Sequence, residues 1–129
     1  MSYKAISNTG SKQYKLQQVA QSSYNGLRMV NGRYLIAIGT YFKADVGTYI
    51  DLVLQNGNVI PCVVGDIKSD EHTDSTRIFT SANNCCSEFI TDNKHLPATV
   101  QMTGNVSNIQ EGWNSPVANF IVYDTKLNI

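Results

Sequence analysis

The sequence predicts an all-β protein, and three observations support this class. No stretch shows the sustained 3.6-residue spacing of apolar residues that an amphipathic helix needs. Apolar residues fall instead in short runs rich in β-branched and aromatic side chains, separated by Asn-Gly pairs and other turn signals. Several runs are apolar on both faces, as in the strands of a barrel or sandwich. We therefore expect about six to eight short strands that close into a small barrel.

The first 30 residues predict an extension that precedes the barrel. Residues 1–30 are rich in Ser, Gln, Asn and Tyr, and their apolar pattern is weak. Residues 16–20 are compatible with a short strand or with a helical turn, and the pattern does not decide between the two. We therefore divide the chain into an N-terminal extension, residues 1–30, and a β-barrel domain, residues 31–129.

The strongest strand patterns lie in the middle of the chain. Residues 33–41 form a nearly continuous run of β-forming residues. Residues 48–55 and 59–64 form two further runs, and Asn56 and Gly57 between them predict a tight hairpin because both residues tolerate positive φ. Weaker strand patterns occupy residues 27–30, 76–81, 85–90 and 117–123, and residues 99–102 predict at most a short extended piece.

Composition excludes two classes of partner. Ten Lys and Arg residues balance ten Asp and Glu residues, and no basic run is present to neutralise the phosphates of a nucleic acid. No apolar run approaches the roughly 20 residues that a membrane-spanning helix needs. Residues 1–16 also lack the apolar segment of a signal peptide. We expect neither a nucleic-acid nor a membrane partner, and a chain that is cytosolic, leaves the cell by another route, or is a domain of a longer protein.

The cysteines predict neither a disulfide framework nor a metal site. Cys62, Cys85 and Cys86 are odd in number, and two of them are adjacent. Small apolar core residues are the simplest interpretation. No Cys/His set has zinc-ligand spacing, so we predict no metal and no cofactor.

One charged segment concentrates the ionisable residues of the chain. The apolar run of residues 59–64 ends at Gly65, and residues 66–74 then contain three Asp, one Glu, one Lys and one His in a chain that is only 16% charged. Such a cluster at the end of a strand is typical of a site built on a β framework. Asp66 directly follows the strand, where a turn-capping role is the alternative, and the charges at residues 68–71 favour a solvated loop tip.

The chain contains four short motifs: Gly-Thr-Tyr at 39–41, residues 47–60, Val-Val-Gly-Asp at 63–66 and His-Thr-Asp at 72–74. Together these motifs resemble the double-psi β-barrel superfamily, which includes expansins, rare-lipoprotein-A-like domains, MltA-type lytic transglycosylases and the three-aspartate domains of Gram-positive wall enzymes. The resemblance covers residues 33–123 and implies a small six-stranded double-psi β-barrel with short extra strands or turns. The loop between Asp66 and Asp74 departs from the Gly-rich pattern of three-aspartate domains. The polar N-terminal segment and the closing strand also resemble domains of clostridial prophages.

The resemblance implies a lytic transglycosylase that cleaves the MurNAc–GlcNAc bond of peptidoglycan with Asp66 and Asp74 as the catalytic carboxylates. In this chemistry the muramic acid 6-hydroxyl replaces water, so one aspartate acts first as acid and then as base. Raising the pKa of an Asp from about 3.9 to about 6 costs roughly 3 kcal/mol, which apolar surroundings and a neighbouring carboxylate supply. Asp66 has the better context for this shift, and Asp74 then stays ionised, unless the two roles are exchanged.

Four further residues are candidates for substrate binding. Lys68 and His72 are placed to orient the carboxylates or to bind polar groups of a sugar. Tyr41 and Trp113 are candidates for stacking on pyranose rings, although aromatic residues in a small barrel are more often core. Glu88 lies next to apolar residues in a predicted strand, where a solvent-facing position is the simpler account.

Three function classes follow from the sequence. The first is a wall-active enzyme, extracellular or virion-associated, whose partners are the peptidoglycan glycan strand and other domains of a larger phage or wall protein. The second is a non-catalytic cell-wall-binding or phage tail structural β-barrel module. The third is a cytosolic barrel with a thiol-dependent role.

Overall fold

The computed structural model describes residues 1–103, 105–107 and 109–129, and it is mainly β-structure, which confirms the predicted class at that level. Short 3₁₀ helices occupy Tyr3–Ala5, Thr40–Phe42 and Asp70–His72. The helices are α1 (Lys12–Val19) and α2 (Ala98–Thr103), and the strands are β1 (Gln21–Ser22), β2 (Arg28–Val30), β3 (Arg33–Ile38), β4 (Thr48–Leu54), β5 (Val59–Ile67), β6 (Glu88–Phe89) and β7 (Val117–Lys126).

The seven strands form one sheet with β3 and β5 at its centre. The pairing order is β1-β2-β3-β5-β4-β7, and β6 also pairs with β3. The β3–β5 pair is parallel, whereas β4 lies on the far side of β5 and pairs with it antiparallel. The carboxyl ends of β3 and β5 therefore lie at the same edge of the sheet, where the charged segment begins.

The sheet is open in the part of the chain that the structure describes. The pairing path runs from β1 to β7 without a return contact between these two outer strands. The predicted closure into a barrel is therefore not seen, although both faces of the central strands are covered as the apolar runs predicted.

Two hydrophobic clusters cover the two faces of the sheet. Alternate residues of a strand point to opposite faces, so neighbouring core residues on β3 and β5 belong to different clusters. The larger cluster contains Leu27, Ile36, Ile38, Ile50, Leu52, Leu54, Ile60, Cys62, Val64 and Trp113. The smaller cluster contains Leu16, Leu35, Val46, Val63 and Ile90.

Residues 1–30 pack on the same sheet as the rest of the chain. Leu16 of α1 is fully buried in the smaller cluster, which assigns residues 16–20 to a helix and its end. Ser11 begins this helix, because its Oγ accepts a hydrogen bond from the backbone N–H of Tyr14. Arg28 is buried against α1, where its guanidinium donates to the Gln17 side chain at 3.0 Å and to the Gln17 carbonyl at 2.8 Å. This segment can be polar because its helix buries only one narrow stripe of side chains.

The predicted hairpin is confirmed, and the weaker strand patterns are only partly so. Residues 48–54 and 59–67 pair as β4 and β5 around the Asn-Gly turn, where Gly57 has φ of 89°. The prediction for residues 117–123 is also confirmed by β7. Residues 85–90 contribute only the two-residue strand β6, residues 76–81 form turns, and residues 99–102 lie in α2. None of the described helices has the length and apolar character needed to span a bilayer.

Candidate functional site

Asp66 lies inside β5, because the strand continues past the end of the apolar run. Val64 pairs with Ile36 and Asp66 pairs with Ala37, so Gly65 is an extra residue at a β-bulge. A Cβ atom on Gly65 would lie 2.5 Å from Cδ1 of Ile90, which explains the glycine. The bulge sets the direction of the Asp66 side chain, as bulges beside functional sites commonly do.

The Asp66 carboxylate is half-buried on the face of the sheet that α1 covers. Its Oδ1 accepts a hydrogen bond of 3.3 Å from Nε2 of Gln13 in α1. Because side chains two residues apart on a strand share a face, Lys68 projects from the same side of the chain as Asp66. The backbone N–H of Lys68 still donates to the Ile38 carbonyl at 2.8 Å, so the parallel pairing extends to this residue.

Glu88 meets this site from the neighbouring strand. Nζ of Lys68 lies 3.1 Å from Oε2 of Glu88, and the two side chains are 20% and 19% exposed. The amino group of Met1 lies 3.9 Å from the same oxygen. Burial lowers the pKa of that amino group, whereas the nearby Glu88 carboxylate acts in the opposite direction.

A cross-strand row places Glu88 and Asp66 on either side of one residue. Ala37 of β3 pairs with Glu88 on β6 and with Asp66 on β5. Directly paired residues project to the same face, and neighbouring strands are about 4.8 Å apart, so the two Cα atoms are roughly 10 Å apart. Sheet pairing therefore places Asp66 and Glu88 on the same face of the sheet, two strands apart, although they are 22 positions apart in the sequence.

An open cleft of about 400 Å³ lies beside this row, and we call it the Lys68 cleft. Nδ1 of His72 lies 3.1 Å from Oγ of Ser69, which holds the ring at the wall of the cleft. The structure thus brings together the two predicted binding residues Lys68 and His72. The lining residues are Lys68, Glu71, His72, Thr80, Ser81, Ala82 and Glu88.

Asp74, the other predicted catalytic carboxylate, caps the turn that follows it. Its Oδ1 accepts hydrogen bonds from the Thr76 hydroxyl at 2.6 Å, the Thr76 N–H at 3.2 Å and the Phe79 N–H at 3.4 Å. These hydrogen bonds, the Thr76 hydroxyl first, hold the pKa of Asp74 below its usual range. Asp74, like Asp66, lines none of the three clefts described here. The same hydrogen bonds explain why residues 76–81 form turns instead of the predicted strand.

We expect the turn to depend on ionised Asp74. Because its pKa is lowered in the folded protein, the carboxylate stabilises the turn above the unfolded pKa of about 3.9, and this contribution is lost as the pH falls through the lower folded value. NMR titration of the wild type should therefore show the amide shifts of Thr76 and Phe79 moving together at a pH below about 3.9.

Two variants make this expectation specific. Asp74→Asn retains an oxygen acceptor and should keep the turn without its acid titration, whereas Asp74→Ala should lose the turn at every pH. An unchanged titration of the Thr76 and Phe79 amides in Asp74→Ala would show that another group controls the turn.

The two predicted aromatic residues lie in different environments. Tyr41 is 58% exposed, and its ring meets Phe42 edge-on at 5.3 Å. It lines a separate cleft of about 890 Å³, the Tyr41 cleft, together with Lys43 and Arg77. Trp113 is only 8% exposed. Because it stacks on Phe89 at a centroid distance of 5.3 Å, it belongs to the core and presents little ring face to a ligand.

The cysteines divide into one core residue and two residues nearer the surface. Cys62 is fully buried in the larger cluster, and burial raises the pKa of its thiol far above the usual range. Cys85 is exposed and Cys86 is half-buried. Within the described ranges, no group of three or more His, Cys, Asp or Glu residues is arranged to hold a metal ion.

Sequence analysis did not select Glu88 or Glu71 as site residues. Glu88 carries a local signal, since a charged residue is inserted before the apolar pair Phe89 and Ile90. Its contact with Lys68 depends on β6 pairing with β3, a long-range contact that no local pattern encodes. Glu71 is exposed as predicted for a loop tip, but that loop forms a wall of the Lys68 cleft.

No protein-family model, no curated protein and no solved structure matches this chain.

Proposed function

We propose that this protein acts on the glycan strand of peptidoglycan as a lytic transglycosylase that cleaves the MurNAc–GlcNAc bond. One observation carries the proposal: Asp66 lies at the carboxyl ends of the parallel β3–β5 pair, on the same side of β5 as Lys68, which lines an open cleft. A half-buried carboxylate beside a cleft with ammonium and imidazole groups is suited to sugar hydroxyls and to proton transfer.

The proposed reaction needs only one carboxyl group that gives and then regains a proton. Asp66 donates its proton to the glycosidic oxygen as the bond from that oxygen to C1 of MurNAc breaks, and GlcNAc leaves with a free 4-hydroxyl. The 6-hydroxyl of MurNAc then attacks C1 and returns its proton to Asp66, so no water is consumed. The products are a 1,6-anhydro-MurNAc end and a GlcNAc end.

In this proposal Lys68 and His72 bind substrate polar groups in the cleft. Tyr41 serves a more distant sugar, since it lines a separate cleft and exposes most of its ring. Trp113 acts through the core that supports β6.

The finer fold assignment, a six-stranded double-psi β-barrel, is also part of the proposal. Two features support it: the parallel β3–β5 pair, whose connection passes through β4, and the apolar residues on both faces of the central strands. Nuclear Overhauser contacts between the backbones of β7 and β1 or β6 would demonstrate closure, and their absence would rule it out.

A non-catalytic wall-binding or phage tail module is the second candidate. It is favoured by the hydrogen bonds of the two sequence-predicted carboxylates, since Asp66 accepts from Gln13 and Asp74 caps a turn. Both candidates place the protein outside the cell or on a virion, alongside other domains of a phage or wall protein.

Incubation of the protein with purified peptidoglycan separates the two candidates. The lytic proposal expects soluble muropeptides that end in 1,6-anhydro-MurNAc, detected by mass spectrometry, and a falling turbidity of the wall suspension. Co-sedimentation with walls without any anhydro product would favour the binding module. Neither product nor co-sedimentation would overturn both candidates.

A further inference from the structure

We infer that Glu88 is a catalytic carboxylate of this site, in the place that the sequence predicted for Asp74, and that the glycan strand lies across it with sugars on both sides. This inference rests on the proposed function and deepens it. It is carried by the sheet register, the ion pair with Lys68 and the presence of Glu88 in the lining of two clefts.

The register gives the first argument. Glu88 and Asp66 lie on either side of Ala37 in one cross-strand row, with Cα atoms roughly 10 Å apart. Carboxyl groups that flank a glycosidic bond are about 5–9.5 Å apart, a distance that side chains of this length can span from such a row. By contrast, no strand pairing relates Asp74 to Asp66, because Asp74 lies in the turn beyond the sheet.

The second argument is the electrostatic setting of Glu88. The side chain is only 19% exposed, and the Lys68 ammonium lies 3.1 Å from its Oε2. Charged side chains on the surface need no ion-pair partner, whereas a half-buried carboxylate is stabilised in its charged form by one. The ion pair fixes one oxygen and holds negative charge at the wall of the cleft. Asp74 directs its Oδ1 to the Thr76 hydroxyl and N–H instead.

The third argument is that Glu88 lines two clefts. Glu88 lines the Lys68 cleft of about 400 Å³ and also a second cleft of about 800 Å³, whose lining includes Ser87, Thr91, Asn93 and Gln101. We call the latter the Gln101 cleft. Because each cleft offers amide, hydroxyl or charged groups, a polymer of sugars has polar partners in both clefts that Glu88 lines. This arrangement suits cleavage inside a strand more than removal of terminal units.

The chemical step assigns one role to each carboxylate. Asp66 moves the proton, as described above. Glu88 stays negatively charged and stabilises the positive charge that develops at C1 and the ring oxygen of MurNAc as the bond to the leaving oxygen breaks. Glu88 forms no bond and exchanges no proton, so the overall balance of the reaction is unchanged.

The test compares Glu88→Gln with two matched variants that also exchange a carboxylate for an amide. Asp74→Asn retains the turn cap, and Glu111→Gln changes an exposed residue of the 109–113 segment. We expect Glu88→Gln to lower kcat for release of anhydro-muropeptides by about 100-fold or more, with KM changed only a few-fold. Glu111→Gln should keep kcat within about threefold, since surface changes away from a site have small effects. The rate of Asp74→Asn tests whether Asp74 is the second carboxylate instead.

A second variant guards against misfolding of Glu88→Gln. Glu88→Asp retains the charge but withdraws the carboxylate by one methylene, and we expect kcat to fall at least about tenfold. Early digests of long glycan strands should contain chains of intermediate length, separated by size-exclusion chromatography. Release of only short terminal fragments of a single size, from the first time point, would overturn the proposal that the glycan strand occupies both clefts.

The outcomes separate this inference from the proposed function. Wild-type protein without anhydro product would refute the proposed function and the inference with it. An active wild type with fully active Glu88→Gln and Glu88→Asp would refute only the role of Glu88. An inactive but folded Asp74→Asn would assign the second carboxylate to Asp74 instead.

Discussion

Asp66→Asn is expected to lower the release of anhydro-muropeptides by at least about 100-fold while leaving the fold intact. General acid–base catalysis by a positioned carboxyl group contributes about 10²–10⁴-fold, and an amide cannot donate and regain the proton. Asparagine has nearly the same shape as aspartate, and its oxygen can still accept the hydrogen bond from Gln13. The loss should therefore appear in the initial rate of product release and not in the midpoint of thermal unfolding.

Two controls sharpen this prediction. Asp45→Asn changes an exposed carboxylate that pairs with Lys126 and should retain the wild-type rate. Gln13→Ala removes the hydrogen-bond donor of Asp66 but leaves its carboxyl group. If Asp66 is the acid, Gln13→Ala should retain most of the rate, because the carboxyl group that transfers the proton is still present.

The opposite result would assign the role of the catalytic acid to another residue. An Asp66→Asn variant with the full rate, in a protein that does release anhydro products, would show that Asp66 has only the structural role that its hydrogen bond to Gln13 permits. Glu71 and Glu88 would then be the carboxylates to test, since both line the Lys68 cleft.

Elements with a local origin were predicted well from the sequence. The β4–β5 hairpin follows from two β-rich runs and an Asn-Gly pair, and both signals act between near neighbours in the chain. The strand β7 likewise follows from its own composition. The sequence did not decide between a helix and a strand for α1. The helix buries little more than Leu16, so its apolar stripe is too sparse to show a helical period.

The site was only partly predictable because its parts come from distant segments. Lys68 and His72 lie in one charged segment, and the structure places both at the same cleft. Glu88 enters through the pairing of a two-residue strand with β3, and such short strands owe their existence to tertiary contacts. Asp74 resembled a catalytic aspartate in the pattern His-Thr-Asp, whereas its hydrogen bonds to Thr76 and Phe79 are those of a turn cap. An aspartate can serve either as a turn cap or as a catalytic acid, so only the geometry of its contacts distinguishes the two roles.

Trp113→Ala is expected to destabilise the protein by about 3–5 kcal/mol, a large part of the roughly 5–15 kcal/mol that stabilises a typical domain. The indole is 8% exposed, stacks on Phe89 at 5.3 Å and meets Tyr34 edge-on at 5.1 Å. Removal of the indole would leave a cavity beside β6, and the alanine side chain is too small to fill it. Urea denaturation followed by circular dichroism should show a midpoint far below that of the wild type.

Tyr41→Ala is the matched control, because it also removes a large aromatic side chain but from a position that is 58% exposed. Its free energy of unfolding should change by no more than about 0.5 kcal/mol. The pair also decides between the two roles predicted for aromatic residues. A Trp113→Ala variant that stays stable but no longer co-sediments with walls would make Trp113 a sugar platform. A large loss of stability instead supports a core role, in which Trp113 holds Phe89, and with it the neighbouring Glu88, against the sheet.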